Sequence, residues 1–231
     1  SDVYKRQHRH WNEIPSGNSR SKEQRCGSHY AGASGKISEK PADRLCRCVL
    51  SQVDVDVIDR ANKETPLSAI QNIYSMVERG AEEAVIPYCM EHNIELVPFS
   101  PTASGFLSGK VTVNSDFSHS DDVRKFVPQL RKENIEANQP VLALLEEYAE
   151  KKAATKAQIS LSWMLHKYPN VVPIPGSKNQ GRILENLGSW NVELSDAEFQ
   201  ALETALDKIL VHGHRGFFEQ QGNSMANWGK K

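Results

Sequence analysis

The segment VVPIPGSKNQGRILENLGSW, residues 171–190, decides how the chain is read. It begins as a buried-type apolar strand, turns at Pro175-Gly176-Ser177, and runs into a helix that carries Arg182, Glu185 and Asn186. Ser177, Lys178 and Arg182 therefore surround the mouth of a helix, with a carboxylate and an amide about one turn further on. A helix N-terminus presents unpaired N–H groups and the positive end of its dipole. Such a layout suits an anionic ligand that also offers hydrogen-bonding groups beyond its charge.

Outward from this segment, the chain from Leu50 reads as alternating helices and strands. VDVDVIDRANKE (53–64) has helical spacing in Val53, Val57, Ile58 and Ala61, and SAIQNIYS (68–75) is a short strand. GAEEAVIPYCMEHN (80–93) reads as an amphipathic helix with acids near its start, and IELVPFSP (94–101) as a strand closed by Pro101. The polar stretch 102–130 exceeds an ordinary connection, which argues for function or mobility. Residues 136–154 and 155–169 read as helices, the second with Thr155 as N-cap. NVVPIPGS (170–177) is the third clear strand, followed by helix 179–190 and by a helix opened with a Ser195–Glu198 capping box. Residues 212–231 have no strong period.

Short apolar strands alternating with helices imply parallel pairing under helices. Three strands are too few to close a barrel, and an open α/β sheet fits the pattern too. However, polar groups gather at three strand ends: Gln71-Asn72, Phe99-Ser100 and Gly176-Ser177-Lys178. That recurrence is how a (β/α)8 barrel builds its site, often with a phosphate cradle after its last strands. A guanidinium such as Arg182 forks onto phosphate oxygens, and Phe99 offers a flat face for a heteroaromatic ring.

Composition narrows the function classes. With 231 residues, 25% charged and a net charge of −1, nothing points to nucleic acid or an anionic membrane as partner. Cys26, Cys46, Cys48 and Cys89 show no C-x-x-C pair, so neither a disulfide framework nor a metal site is expected, and a reducing cytoplasm fits. No apolar run approaches the ~20 residues of a membrane span. Residues 1–30 lack the apolar core of a signal peptide. Charge is uneven: residues 1–48 hold ten Lys and Arg against five Asp and Glu, and the remainder 18 against 24. Large aliphatics are nearly absent before Val49. We read 1–48 as a non-native or disordered segment, and residues 1–7, SDVYKRQ, as an artefact resembling a translated sequencing adaptor. Residues 49–231 form the domain.

AIQNIYSMVERG, ELVPFSPTASGFLSGK and VVPIPGSKNQGRILEN, in this order and at these intervals, resemble the C-terminal half of an aldo-keto reductase. The resemblance covers roughly residues 50–215. It implies a (β/α)8 barrel, here about strands five to eight, that reduces aldehydes and ketones with NADPH. SAIQNIYS, ELVPFSP and VVPIPGS become strands six, seven and eight, and Leu50-Ser51-Gln52 falls just after strand five, without the glycine expected there. Gln71 would bond the nicotinamide carboxamide and Phe99 would stack on its ring. Ser100, Thr102 and Ser104, with Lys110, would contact the pyrophosphate or a ribose. Gly176, Ser177, Lys178 and Arg182 would form the 2′-phosphate lip, Lys178 standing in for a basic residue some relatives carry at the Gly176 position. Glu185 and Asn186 would face the adenine.

Each residue also has a plainer reading: Phe99 as a core aromatic, Arg182 and Glu185 as a solvated i,i+3 pair, Gln71 as a buried amide, Asn186 as a local cap. The family's proton donor Tyr and its Asp–Lys partners lie on the first strands of the barrel, and no segment here resembles their motifs. Gln7-His8-Arg9 resembles a strand-four motif, which makes His8 the catalytic-histidine candidate; His10, His29, His119, His212 and His214 read as surface residues. The resemblance thus implies the C-terminal part of a reductase of small carbonyl compounds, inactive as it stands. The alternative is a non-catalytic NADPH-binding module, like the cofactor-sensing subunits of channels. A nicotinamide-free barrel that binds a phosphorylated sugar is a third possibility. Oligomeric state is not readable.

Overall fold

The computed structural model describes residues 49–51, 53–119 and 122–216; His8, the rest of 1–48 and residues 217–231 lie outside the described residues. Strand β1 (Val49–Ser51) pairs in parallel with β2 (Ala69–Ile73), and β2 with β3 (Glu95–Phe99). Helix α1 (Val55–Glu64) links the first two strands and α2 (Val85–Glu91) the next two. Leu50-Ser51 thus belongs to a strand rather than following one, because Leu50 and Ser51 are in register with Ile70 and Gln71.

Residues 170–174 extend the sheet beyond β3, but as less than the full strand expected. Leu96 N–H donates to Asn170 O at 2.8 Å, Val172 N–H to Leu96 O at 2.8 Å, and Ile174 N–H to Pro98 O at 3.1 Å. The ladder stops at a single Leu96–Val171 bridge. Its next bond would come from the N–H of residue 98, and Pro98 has none. Four parallel segments therefore lie side by side in chain order. A doubly wound sheet reverses its order at a switch point, whereas a barrel advances one strand per β/α unit, as here.

Burial alternates along the strands. Ile70, Asn72, Leu96 and Pro98 are buried, while Ala69, Gln71, Glu95, Val97 and Phe99 are half-buried on the opposite face. The buried aliphatics join a core with Val85, Ile86 and Cys89 of α2. Burial pushes the Cys89 thiol up to about 12, which keeps it protonated and inert. The expected helix 80–93 is interrupted: a 3-10 turn, Gly80–Glu82, precedes α2. Pro87 explains the break, since its ring clashes with the carbonyl four residues earlier in any helix continuing through it.

A short α3 (Lys132–Ala137) leads into α4 (Gln139–Lys152), α5 (Lys156–Lys167), α6 (Gln180–Leu187) and α7 (Asp196–Asp207). Both expected N-caps form: Thr155 with Gln158 on α5, and Ser195 with Glu198 on α7. Trp163, fully buried on α5, donates its Nε1–H to Glu203 Oε2 at 2.7 Å. Glu203 also takes Arg79 and Lys167, and Glu82 accepts the Tyr74 hydroxyl at 2.6 Å. This half-buried network ties α5 and α7 to the turn after β2.

Candidate functional site

The loop that leaves β3 has an unusual backbone. Ser100, Ala103 and Ser104 hold positive φ of 52°, 49° and 57°, and Gly105 and Gly109 hold 96° and 70°. A left-handed conformation costs a non-glycine residue ~1–2 kcal/mol, so the surroundings must hold it in place. Ala103 N–H donates to Ser100 O at 2.8 Å, Gly105 N–H to Thr102 O at 3.0 Å, and Ser108 Oγ to Gly105 O at 2.6 Å. Buried Ala103, Phe106 and Leu107 pin the loop from below. At Gly109 a Cβ would stand 2.5 Å from Lys156 Cε, so a larger residue there would strain the backbone and displace the Lys156 side chain. The N–H groups of Ala103, Gly105, Leu107 and Gly109 are spent on carbonyls of the loop itself, so what the loop offers an anion in the cleft is chiefly the hydroxyls of Ser100, Thr102 and Ser104.

Opposite this loop stands α6. Ser177 accepts from Asn179 N–H at 3.0 Å, and the Asn179 side chain caps α6 by accepting from Arg182 N–H at 3.1 Å. Asn179 is an addition to the sequence-derived set, although an Asn directly before a helix is a standard cap signal. Lys178 and Arg182 are exposed at this end, and a Cβ at Gly176 would meet nothing within 4 Å. The lip is therefore open and positively charged.

Between the loop and α6 lies a cleft of about 1020 Å³. Eleven of the twelve expected cofactor residues line it: Phe99, Ser100, Thr102, Ser104, Lys110, Gly176, Ser177, Lys178, Arg182, Glu185 and Asn186. Gln71 is not among them. It lies on the same sheet face as Phe99, diagonal to it, because Gln71 is in register with Val97 and Ile73 with Phe99. Phe99 is half-buried at the cleft wall rather than a core aromatic.

Lys110 and Glu185 meet across the cleft, Nζ to Oε2 at 2.9 Å. The Lys110 ammonium, and less strongly the Thr155 hydroxyl and the Arg182 charge, hold the Glu185 carboxyl below its ordinary range. Glu185 thus takes Lys110, 75 residues away, as its ion-pair partner, in place of the i,i+3 pair with Arg182 that the sequence suggested.

The structure adds wall residues that sequence reasoning passed over: His119, Asp122, Val123 and Arg124. His119 is exposed, as read, and borders the cleft, whereas His212 and His214 are half-buried. Asp122 forks onto Arg124, with Arg124 Nε 2.8 Å from Oδ1, and its carboxyl is pulled down to about 2 by that guanidinium. Arg124 also covers the Phe117 ring at 4.6 Å. The signal available in the sequence was the excessive length of the 102–130 loop.

The donor set fits a dinucleotide with an extra phosphate. One end has cations at a capped helix, the middle has three hydroxyls on a strained loop, and the other end has a flat aromatic. No helix among the described residues is long and apolar enough to cross a membrane.

Residues 45–207 match the profile of the Aldo/keto reductase family. The chain is 34% identical over 166 residues to "Probable aldo-keto reductase 1" of Glycine max, covering 72% of this chain and 47% of that protein. It is 36% identical over 190 residues to the aldo-keto reductase yakc of Schizosaccharomyces pombe, whose name includes NADP(+), covering 77% of this chain and 55% of that protein. The structure of the glycerol dehydrogenase AKR11B4 from Gluconobacter oxydans superposes with a TM-score of 0.62 at 25% identity, over 69% of this chain and 48% of its own. The chain spans about half the length of the relatives it matches. Its four β/α units are a portion of their (β/α)8 barrel.

Proposed function

The chain belongs to the aldo/keto reductase family, and on that premise we propose that it carries the NADPH-binding part of an oxidoreductase that reduces aldehydes or ketones to alcohols. The observation that carries this reading is the cleft itself, which gathers eleven residues from β3, its loop, the 174–178 turn and α6 around one open volume. Bound NADPH supplies a hydride. Lys178 and Arg182 at the lip, with Ser177, bind the 2′-phosphate. Ser100, Thr102 and Ser104 donate to the pyrophosphate and its ribose from the strained loop. Phe99 supports the nicotinamide face, and Gln71, on the same sheet face, bonds its carboxamide. Glu185 and Asn186 face the adenine. Arg124, held by Asp122, adds a cation at the wall.

In this reading the chain as it stands binds the cofactor without turning it over, and His8 is the candidate that polarises the carbonyl. The binding-module alternative draws on the same cleft, which would hold the cofactor whether or not it is turned over. Two measurements test the proposal. NADPH added to the purified 231-residue chain is expected to show enhanced nicotinamide fluorescence that saturates. Absorbance at 340 nm, the band of roughly the reduced nicotinamide, is expected to show no NADPH oxidation with a panel of aldehydes. Absence of saturable binding overturns the cofactor assignment, and oxidation at the rate of a full-length relative overturns the inactive reading.

A further inference from the structure

The segment after α7 is fastened into the molecule by directional contacts. His212 N–H donates to Asn138 Oδ1 and Asn138 Nδ2 donates to His212 O, both at 2.8 Å. Gln129 N–H donates to His214 O at 3.1 Å. Gly213, at φ +75°, passes so close to Gln129 that a Cβ would stand 2.8 Å from its Cα. Asn138 and Gln129 are fully buried. The segment is therefore set in a groove with no room to slide, and it leads to Arg215.

Arg215 touches two parts of the site region. Its backbone N–H donates to Glu78 Oε2 at 2.8 Å, fixing the main chain beside a buried carboxyl. Its Nε–H donates to Ser100 Oγ at 2.9 Å, across 115 residues of sequence. Ser100 is the first left-handed residue of the cradle loop, and it lines the cleft. A guanidinium has donors and no acceptor. Once Nε–H occupies a lone pair on Oγ, the serine's own proton cannot go to Arg215. It is left for an acceptor elsewhere, and the cation behind the hydroxyl makes it a stronger donor.

We propose that Arg215 is a positioning residue for the cleft: it holds Ser100 in its left-handed conformation and makes the Ser100 hydroxyl a stronger donor to the pyrophosphate oxygens of the dinucleotide. The proposal rests on the dinucleotide reading of the cleft. It identifies a residue far in sequence from the other cleft residues as a determinant of ligand affinity. Its effect runs through the loop after β3 and not through the 2′-phosphate lip.

The test uses the full 231-residue chain with two ligands, NADPH and adenosine 2′-monophosphate, which has the 2′-phosphate and neither phosphate of the pyrophosphate bridge. Arg215→Gln is expected to weaken NADPH roughly tenfold, the scale of one charge-assisted hydrogen bond, and to leave the monophosphate unchanged. Ser100→Ala is expected to weaken NADPH similarly, and the double variant to be no worse than Ser100→Ala, since both remove one interaction. Equal losses for both ligands, or additive effects of the two substitutions, overturn the proposal in favour of general loosening. Hydrogen exchange in the free chain supplies a readout independent of ligand. Arg215→Gln, or Arg215→Lys where the first fails to fold, is expected to speed exchange over residues 99–109 and spare α7. Unchanged exchange there overturns the positioning role. If the unsubstituted chain binds neither ligand, the dinucleotide reading falls, and exchange alone then decides whether Arg215 holds the loop.

Discussion

Replacing Arg182 by Met tests the charged lip most directly. Arg182 is exposed, at the capped N-terminus of α6, and Lys178 is exposed four residues before it. A hydrogen bond to a charged group is worth ~1.5–3 kcal/mol, and exposure places Arg182 at the low end. A loss of ~1.5 kcal/mol is about tenfold in Kd. Methionine keeps the length and apolar stem of the side chain, and the cap from Asn179 uses the backbone N–H of residue 182, so the helix start is preserved. NADH lacks the 2′-phosphate, and its affinity is expected to stay within about twofold. The NADPH/NADH preference therefore falls about tenfold. Because the site is open to solvent, the Debye length of ~10 Å at 0.1 M salt and ~3 Å at 1 M matters. The advantage of the unsubstituted chain over Arg182→Met is expected to shrink as salt rises. Fluorescence titration of both nucleotides at low and high salt, with both proteins, measures the affinities. Parallel losses of NADPH and NADH would refute the assignment of Arg182 to the 2′-phosphate.

Two further predictions concern stability. Thr155→Ala removes the α5 capping box, in which Thr155 Oγ1 accepts from Gln158 N–H at 3.2 Å and Gln158 Oε1 from Thr155 N–H at 2.9 Å; a cost of ~1 kcal/mol lowers the thermal midpoint by about 2–4 °C, measured by circular dichroism, and an unchanged midpoint refutes it. Glu78→Gln acts through pH. Burial holds the Glu78 carboxyl above its ordinary value of 4.5 despite the opposing Arg215 backbone N–H and charge. A raised carboxyl favours the folded state fully below 4.5 and loses that contribution as pH rises through the folded value. The substituted amide keeps an acceptor for the Arg215 N–H without a charge, so the variant is expected to melt higher than the unsubstituted chain at about pH 7 and alike at about pH 4. An equal difference at both pH values would show that burial of charge is not the cause.

What could be read from the sequence was whatever depends on near neighbours or on strand order. The boxes at Thr155 and Ser195 involve residues three apart, and both form as read. The cleft was legible although its residues span 99 to 186, because parallel strands in chain order place their carboxyl ends on one rim. Two departures trace to prolines whose missing N–H acts beyond their own element. Pro98 cuts short the ladder of 171–174, and Pro87 delays the start of α2. The pairs that set the cleft's electrostatics were not legible at all. Lys110–Glu185 and Arg215–Ser100 join residues 75 and 115 apart, and no period or motif encodes which loop residue faces which helix residue. The first of these pairs shapes how a ligand enters. Both of its members were assigned separately to the cofactor, yet each neutralises the other across the cleft mouth. An incoming phosphate must compete with the Glu185 carboxylate for Lys110, whereas Lys178 and Arg182 stand open at the lip. The lip is therefore expected to make first contact, and the loop's cation to be recruited as the pair opens.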